Sequence, residues 1–157
     1  MNKLKQLLNE KKYLIMGILN FTPDSFSDGG DFYDVEAAIE GIRKMVAEGA
    51  DIIDIGAEST GPGSTVVSEE DELARLQIVF PTLRKTFPDV CFSVDTYKPN
   101  VAEYMIEAGV DVLNDVNGAK GSTMANVAAK HDIPIFIMHN GGVEEGQEIE
   151  QVVHELG

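Results

Sequence analysis

Five short apolar runs, most of them rich in isoleucine and valine, are spread along the chain. Most of these runs are continuous and do not alternate with polar residues, which is typical of strands buried on both faces of a parallel sheet. Each predicted strand ends at a polar or glycine residue. The predicted strands are residues 14–19, 52–55, 91–94, 110–113 and 133–138, followed by Asn20, Gly56, Asp95, Asn114 with Asp115, and His139.

The segments between these strands carry helical patterns, as expected for crossover connections between parallel strands. Asp34 is predicted to cap the first helix and Gly49 to end it. Ser68 is predicted to cap the second helix, in which Pro81 must kink or break the chain. The third helix is predicted from Pro99 to a stop at Gly109, and the fourth begins near Ser122 or Thr123.

The order is therefore a β-α unit repeated almost five times. An open doubly wound sheet and a (β/α)8 barrel both fit this order, although no glycine-rich dinucleotide fingerprint follows the first strand. A complete barrel has about 250 residues and eight strands, and five strands in 157 residues have the same ratio. We therefore predict one α/β domain over residues 1–157, an incomplete TIM (β/α)8 barrel in which strands six to eight are absent.

The composition of the chain argues against some classes of binding partner. A formal net charge of −15 argues against nonspecific binding to nucleic acid or to an anionic membrane. No apolar segment is long enough for a transmembrane helix, and residues 1–12 are basic and amphipathic without a cleavage site, so the cytoplasm is expected. The single cysteine, Cys91, excludes an internal disulfide and is predicted to be a small buried hydrophobe.

The most informative segment is the first predicted strand with the loop after it, MGILNFTPDSFSDGG over residues 16–30. The apolar run stops at Asn20, and the following loop is rich in hydroxyls, carboxylates and glycine. Loops at that end of a strand carry the chemistry in α/β barrels. Three further segments end predicted strands in a similar way: DIGAEST at 54–60, SVDT at 93–96 and LNDV at 113–116.

These four segments resemble the signatures of the dihydropteroate synthase family, and the resemblance runs from about Tyr13 to His139. The resemblance implies a transferase of folate biosynthesis that joins a dihydropterin pyrophosphate to p-aminobenzoate and releases pyrophosphate. It also implies Mg²⁺ as the cofactor and a site at which sulfonamides compete with p-aminobenzoate. Mg²⁺ suits a pyrophosphate because it takes few protein oxygens and keeps several waters.

The same resemblance implies a role for individual residues. Asn20 matches the position that contributes its side-chain oxygen to Mg²⁺. Asp95 and Asn114 match pterin-contacting positions, and Val116 and Met138 match apolar positions that sandwich the pterin ring. Asp24, Ser25 and Phe26 lie on a first loop and Thr60 on a second, and both loops close over the site in this family. Asp115 is predicted to cap a turn and not to touch a ligand.

The sequence departs from the family pattern in two places. Gly61 stands where the second signature usually has arginine, and the family draws an Asp, a Lys, an Arg and a His from strands six to eight. Lys98 is the cation closest to a strand end, and the strand ends have almost no fixed positive charge. We therefore predict that the chain alone is inactive or nearly so and that it self-associates through exposed barrel edges, as a homodimer or a larger species.

Two other readings stay open. A non-catalytic pterin-binding module or truncated paralogue is favoured by Gly61 and by the missing strands, but not by the metal position Asn20. Methyltetrahydrofolate-dependent methyl transfer also uses a pterin-binding barrel, and the loop at residues 22–30 speaks against it.

Overall fold

A computed structural model describes residues 3–21, 31–58, 67–118 and 123–138, with side chains from residue 35 onward in the second range. The strands are β1 (Met16–Asn20), β2 (Ile52–Gly56), β3 (Cys91–Asp95), β4 (Val112–Asp115) and β5 (Ile135–Ile137). The helices are α1 (Lys3–Glu10), α2 (Asp31–Ala47), α3 (Glu69–Thr86), α4 (Pro99–Glu107) and α5 (Thr123–Lys130). No helix among these residues is both long and apolar enough to cross a membrane.

The five strands form one parallel sheet in the order β1-β2-β3-β4-β5. Every strand pairs with its neighbour in the chain, and each connection from β1 to β5 contains a helix. A doubly wound sheet reverses its strand order at a switch point, whereas a barrel adds its strands in sequence. The observed order therefore confirms the predicted barrel and excludes the doubly wound sheet.

The main core lies between the sheet and helices α2 to α5. Phe80 of α3 meets Phe92 of β3 edge to face with 5.6 Å between ring centroids, and the Arg84 guanidinium lies 4.6 Å from the Phe92 ring centroid. Successive residues of a strand point to opposite faces of the sheet. Alternate residues of each strand therefore lie on the face that is opposite to this core. The largest fully buried apolar side chains include Ile42, Ile53, Ile55, Leu76, Leu83, Met105 and Leu113.

Helix α1 covers a second, smaller apolar cluster. Leu4 packs with Ile52, Cys91 and Val112, which come from three adjacent strands. The Cys91 thiol is buried, and burial raises its pKa to about 12. A protonated thiol is a poor nucleophile, so Cys91 is the small buried hydrophobe that the sequence predicted.

Most predicted element ends agree with the structure. Ser68 is the N-cap of α3 and accepts a hydrogen bond from the Asp71 backbone N–H. Pro99 is in the first turn of α4, and Gly49 and Gly109 follow helices with φ of 105° and 98°. Helix α2 begins at Asp31 and not after Asp34, and β1 begins at Met16 and not at Leu14.

Helix α3 does not end at Pro81, which lies inside its continuous span. Proline removes one backbone donor and crowds the preceding turn. Pro81 itself is exposed, while Val79, Phe80 and Leu83 around it are buried in the core. Packing on both sides of the proline therefore keeps the helix continuous, so that of the predicted kink or break the break is excluded.

Candidate functional site

Four residues lie in register at the carboxyl ends of strands β1 to β4, which we call the carboxyl edge of the sheet. Asn20 pairs in register with Gly56, Gly56 with Asp95, and Asp95 with Asn114. Residues in register on parallel strands share one face, and here that face is opposite to the helix-covered core. The sequence-predicted residues Asn20, Asp95 and Asn114 therefore converge on one edge of one face.

Asp95 is the most unusual of these residues. Its Oδ1 is buried and has no hydrogen-bond partner among the described residues. Burial, followed by the charges of Asp54, Glu72, Asp115 and Glu58, raises the pKa of Asp95 to about 7. Burying an acceptor without a hydrogen-bond donor costs free energy. Such an acceptor is expected where a ligand supplies the missing donor.

Asn114 is held by a carboxylate next to it. Its Nδ2 donates to Asp54 Oδ2 at 2.9 Å, and Ser93 Oγ donates a short hydrogen bond to Asp54 Oδ1. Asp54 is only 3% exposed, and burial raises its pKa while the two donated hydrogen bonds lower it. Asp54 thus lies next to these strand ends and holds the Asn114 side chain of β4 through a hydrogen bond.

Asn20 lies over a glycine. A Cβ on Gly56 would come within 2.8 Å of Asn20 Oδ1, so only glycine leaves this amide oxygen its place at the end of β1. Among the described residues, no group of three or more His, Cys, Asp or Glu is placed to hold a metal ion. The side-chain oxygen of Asn20 is of the kind that Mg²⁺ accepts beside substrate and water ligands.

Val116 and Met138 come directly after the last paired positions of β4 and β5, Asp115 and Ile137. Met138 is 48% exposed, and its backbone N–H donates to Asp115 O at 3.2 Å. Asp115 Oδ1 accepts from the Asn117 backbone N–H, which confirms the predicted turn cap. The two predicted ring-contacting residues thus share the edge that carries Asp95 and Asn114.

Lys98 forms a buried ion cluster with two glutamates. Its Nζ donates to Glu58 Oε2 at 2.6 Å, to Glu72 Oε2 at 2.5 Å and to Val67 O at 2.8 Å. Glu58 also accepts from the Tyr97 hydroxyl and from the Val67 backbone N–H. Lys98 is therefore a fixed cation near a strand end, but two carboxylates already surround its charge.

Several predicted positions lie outside the described residues. They are Asp24, Ser25, Phe26, Thr60, Gly61 and His139. Conversely, sequence reasoning gave no role to Asp54, Glu58 or Glu72. Asp54 and Glu58 lie inside the quoted segment DIGAEST, which was the available signal. Their partners Asn114 and Lys98 are distant in sequence, so the contacts were not visible before the fold.

A family model described as "Pterin binding enzyme" matches residues 16–156. A dihydropteroate synthase of Clostridium beijerinckii is 51% identical over 134 residues, which are 85% of this chain and 49% of that protein. The solved dihydropteroate synthase of Clostridium difficile with pteroic acid is 45% identical with a TM-score of 0.82, covering 91% of this chain and 55% of its own.

The Xanthomonas albilineans dihydropteroate synthase with 4-aminobenzoic acid is 37% identical with a TM-score of 0.78, covering 91% of this chain and 54% of its own. The chain thus spans about half the length of the relatives it matches, and it corresponds to their N-terminal part. Its five parallel strands and the four helices that connect them belong to a TIM (β/α)8 barrel.

Proposed function

The chain belongs to the pterin-binding enzymes, and from that premise we propose that it is the N-terminal part of a dihydropteroate synthase. The proposed reaction joins a dihydropterin pyrophosphate to p-aminobenzoate and gives dihydropteroate and pyrophosphate. The observation that carries the proposal is the unpaired, buried Oδ1 of Asp95 beside Asn114 at the carboxyl edge of the sheet.

Asp95 and Asn114 are proposed to read the polar edge of the pterin. The ring offers adjacent N–H donors, and an ionised Asp95 supplies an acceptor that no described residue satisfies. Pairing it with a ring donor recovers the free energy lost by burying that oxygen, and a ligand without the donor does not. Pteroic acid, bound by the Clostridium difficile relative, contains such a ring.

Val116 and Met138 are proposed to contact the two faces of the pterin ring. Met138 leaves nearly half of its surface exposed next to this edge, although it is an apolar residue. A flexible thioether packs well against an aromatic ring. Burial of this surface under a bound ring would add affinity without adding hydrogen-bond specificity.

The aminobenzoate side of the site is proposed to come from Asp24, Ser25, Phe26 and Thr60. The 4-aminobenzoic acid bound by the Xanthomonas albilineans relative supports this second substrate. Closing two loops over the reacting carbon would exclude water, which otherwise captures the cation left after pyrophosphate departs. Gly61 offers no guanidinium there for an anionic substrate group.

Asn20 is proposed to coordinate Mg²⁺ through its side-chain amide oxygen. The hard oxygen at the end of β1, kept clear by Gly56, suits this metal. When bound there, the metal would neutralise charge that grows on the departing pyrophosphate. The Asn20 oxygen lies at the same carboxyl edge of the sheet as Asp95 and Asn114. It would therefore place the pyrophosphate group near β1 while the pterin ring contacts β3 and β4.

A complete site is proposed to need three further β-α units from the same or another chain. Edge strands β1 and β5 expose Ile18 (62%), Met16 (39%) and Ile137 (44%). These surfaces and the unpaired strand edges support self-association of the chain with a second copy. The cytoplasm is proposed as the compartment, because the one cysteine is a free, buried thiol.

The decisive experiment measures pyrophosphate release from the dihydropterin pyrophosphate with p-aminobenzoate and Mg²⁺. We expect no release by the monomeric chain, and release when the C-terminal half of the Clostridium beijerinckii relative is added. Asp95→Asn in the mixture should abolish most of this activity. Turnover by the monomeric chain alone would contradict the proposed half-site, whereas pterin binding without turnover in the mixture would favour a non-catalytic pterin-binding module.

A further inference from the structure

Asp54 is a buried carboxylate without a cation. It is 3% exposed, it makes no ion pair among the described residues, and its hydrogen bonds there come from Ser93 and Asn114. Burying such a group costs stability, and an apolar side chain of similar size would normally be more stable in its place. Its position is therefore better explained by what it does to its two neighbours.

The contact with Asn114 has a direction. A carboxylate only accepts hydrogen bonds, whereas a carboxamide has a donating and an accepting end. Since Asn114 Nδ2 donates to Asp54, the other end of the amide, Oδ1, is turned away from Asp54. Oδ1 has no donor among the described residues, and Asn114 pairs in register with Asp95.

We propose that Asp54 is a positioning residue that fixes the orientation of the Asn114 amide, so that the site presents two acceptors side by side. These acceptors are Asn114 Oδ1 and the Asp95 carboxylate. They select a heterocycle whose edge carries adjacent donors, such as a ring N–H next to an exocyclic amino group. This inference rests on the proposed pterin site and assigns part of its selectivity to Asp54, which itself need not touch the ligand.

The test compares two probes on the full chain at about pH 7.5, at which Asp95 is mostly ionised. One probe is 6-hydroxymethylpterin, and the other is 6-hydroxymethyllumazine, in which a carbonyl oxygen replaces the 2-amino donor. Calorimetric titration gives the ratio of their dissociation constants. We expect the wild-type chain to prefer the pterin by about tenfold or more.

Asp54→Asn should remove this preference. An asparagine at position 54 has both a donor and an acceptor, so Asn114 can turn either end toward it. We expect the pterin-to-lumazine ratio to fall by about tenfold, with pterin binding weakened and lumazine binding strengthened. Ser93→Ala is the matched control, because it also removes a hydrogen bond to Asp54 but leaves the Asp54–Asn114 contact, and its ratio should stay at the wild-type value.

A ratio in Asp54→Asn within about twofold of the wild-type value would overturn the inference and leave the proposed function intact. Wild-type protein that binds neither probe would overturn both. If Asp54→Asn does not fold, exchange of the Asn114 side-chain NH₂ protons in wild-type protein decides the point. These protons, assigned by their loss in Asn114→Asp, should exchange at least about tenfold more slowly than those of exposed Asn126; equal rates would refute the fixed amide.

Discussion

The carboxyl group of Asp95 links the stability of the chain to pH. Its folded pKa, about 7, is above the ordinary value of 3.8. The folded state therefore holds the proton more tightly than the unfolded state. The stability from this group is complete below about pH 3.8 and is lost as pH rises through about 7. The folded chain is thus least stabilised by this group at the pH values at which the Asp95 carboxylate is charged.

Asp95→Asn should make the chain less sensitive to alkaline pH. The shift of about three units (about 7 less 3.8) is discounted here because the group is partly solvated. Between about pH 5 and about pH 8, we expect the wild-type free energy of unfolding to fall by about 2 kcal/mol more than that of Asp95→Asn. Urea unfolding measures this difference, and exposed Asp89→Asn is the control. Parallel pH profiles for wild type and Asp95→Asn would contradict the account.

Lys98 is expected to matter for stability because its ammonium group forms ion pairs with two buried carboxylates. The side chains of Lys98, Glu58 and Glu72 are 11%, 9% and 1% exposed. Lys98→Met removes the cation that pairs with both carboxylates and should lower the free energy of unfolding by about 3 kcal/mol. Lys130→Met removes an exposed ion pair with Glu103 and should lower the free energy of unfolding much less than Lys98→Met. Urea unfolding of both variants tests this, and equal losses would show that the buried cluster has no special weight.

At the residue scale, sequence reasoning identified the residues that end strands. Asn20, Asp95 and Asn114 were predicted at strand ends because a polar residue stops each apolar run, and the structure brings them together. It did not identify Asp54, because a carboxylate inside an apolar run has no local signature. Its role depends on Asn114, 60 positions away in the chain.

At the scale of elements, the turn after β4 controls the end of β5. Gly118 has φ of 68°, and a Cβ there would lie 2.6 Å from Met138 O. Any side chain at position 118 must therefore displace the backbone at Met138, one of the proposed ring-contacting residues. The turn thus connects the ends of β4 and β5 at which the pterin site is proposed.

Gly118→Ala should lower the free energy of unfolding by about 2 to 3 kcal/mol, combining left-handed strain with this clash. Gly49→Ala is the control, since φ is 105° there but a Cβ meets nothing within 4 Å. It should cost about 1 to 2 kcal/mol. In an NMR spectrum, the Met138 amide should shift in Gly118→Ala and stay in place in Gly49→Ala. An unmoved Met138 signal in Gly118→Ala would refute the connection.

The elements themselves were largely predictable, because strand type, helix type and the Ser68 cap depend on local patterns. The exceptions have tertiary causes. Pro81 does not break α3 because buried neighbours on both sides keep the helix in place. The start of α2 at Asp31 precedes the predicted cap at Asp34, which shows how weakly a lone acidic residue marks a helix end.

At the scale of the whole molecule, the order of the strands in the sheet confirms the predicted barrel. Continuous apolar strands with intervening helices occur in both barrels and doubly wound sheets, and only the pairing of strands separates them. The pairing depends on contacts between whole strands, so no local pattern could reveal it. The barrel was nevertheless predicted correctly, because five strands in 157 residues have the ratio of strands to residues of a complete barrel.

The proposed self-association of the chain through strands β1 and β5 can be measured directly. Sedimentation velocity at tens of micromolar should show dimers or larger species of the chain. Ile18→Asn, at a 62% exposed position on β1, should weaken association by about tenfold. Ile78→Asn replaces an equally large residue, 50% exposed on helix α3 and away from the strand edges, and should leave association unchanged. A wild-type chain that stays monomeric would contradict the interface.

The central claim is that the carboxyl edge of this sheet, with Asp95 at its centre, is a pterin site. Calorimetric titration of 6-hydroxymethylpterin into the chain at about pH 7.5 tests it most directly. We predict saturable binding that Asp95→Asn weakens by about tenfold or more and that Asp89→Asn leaves unchanged. Binding of equal strength in wild type and Asp95→Asn, or no binding at all, would contradict the account.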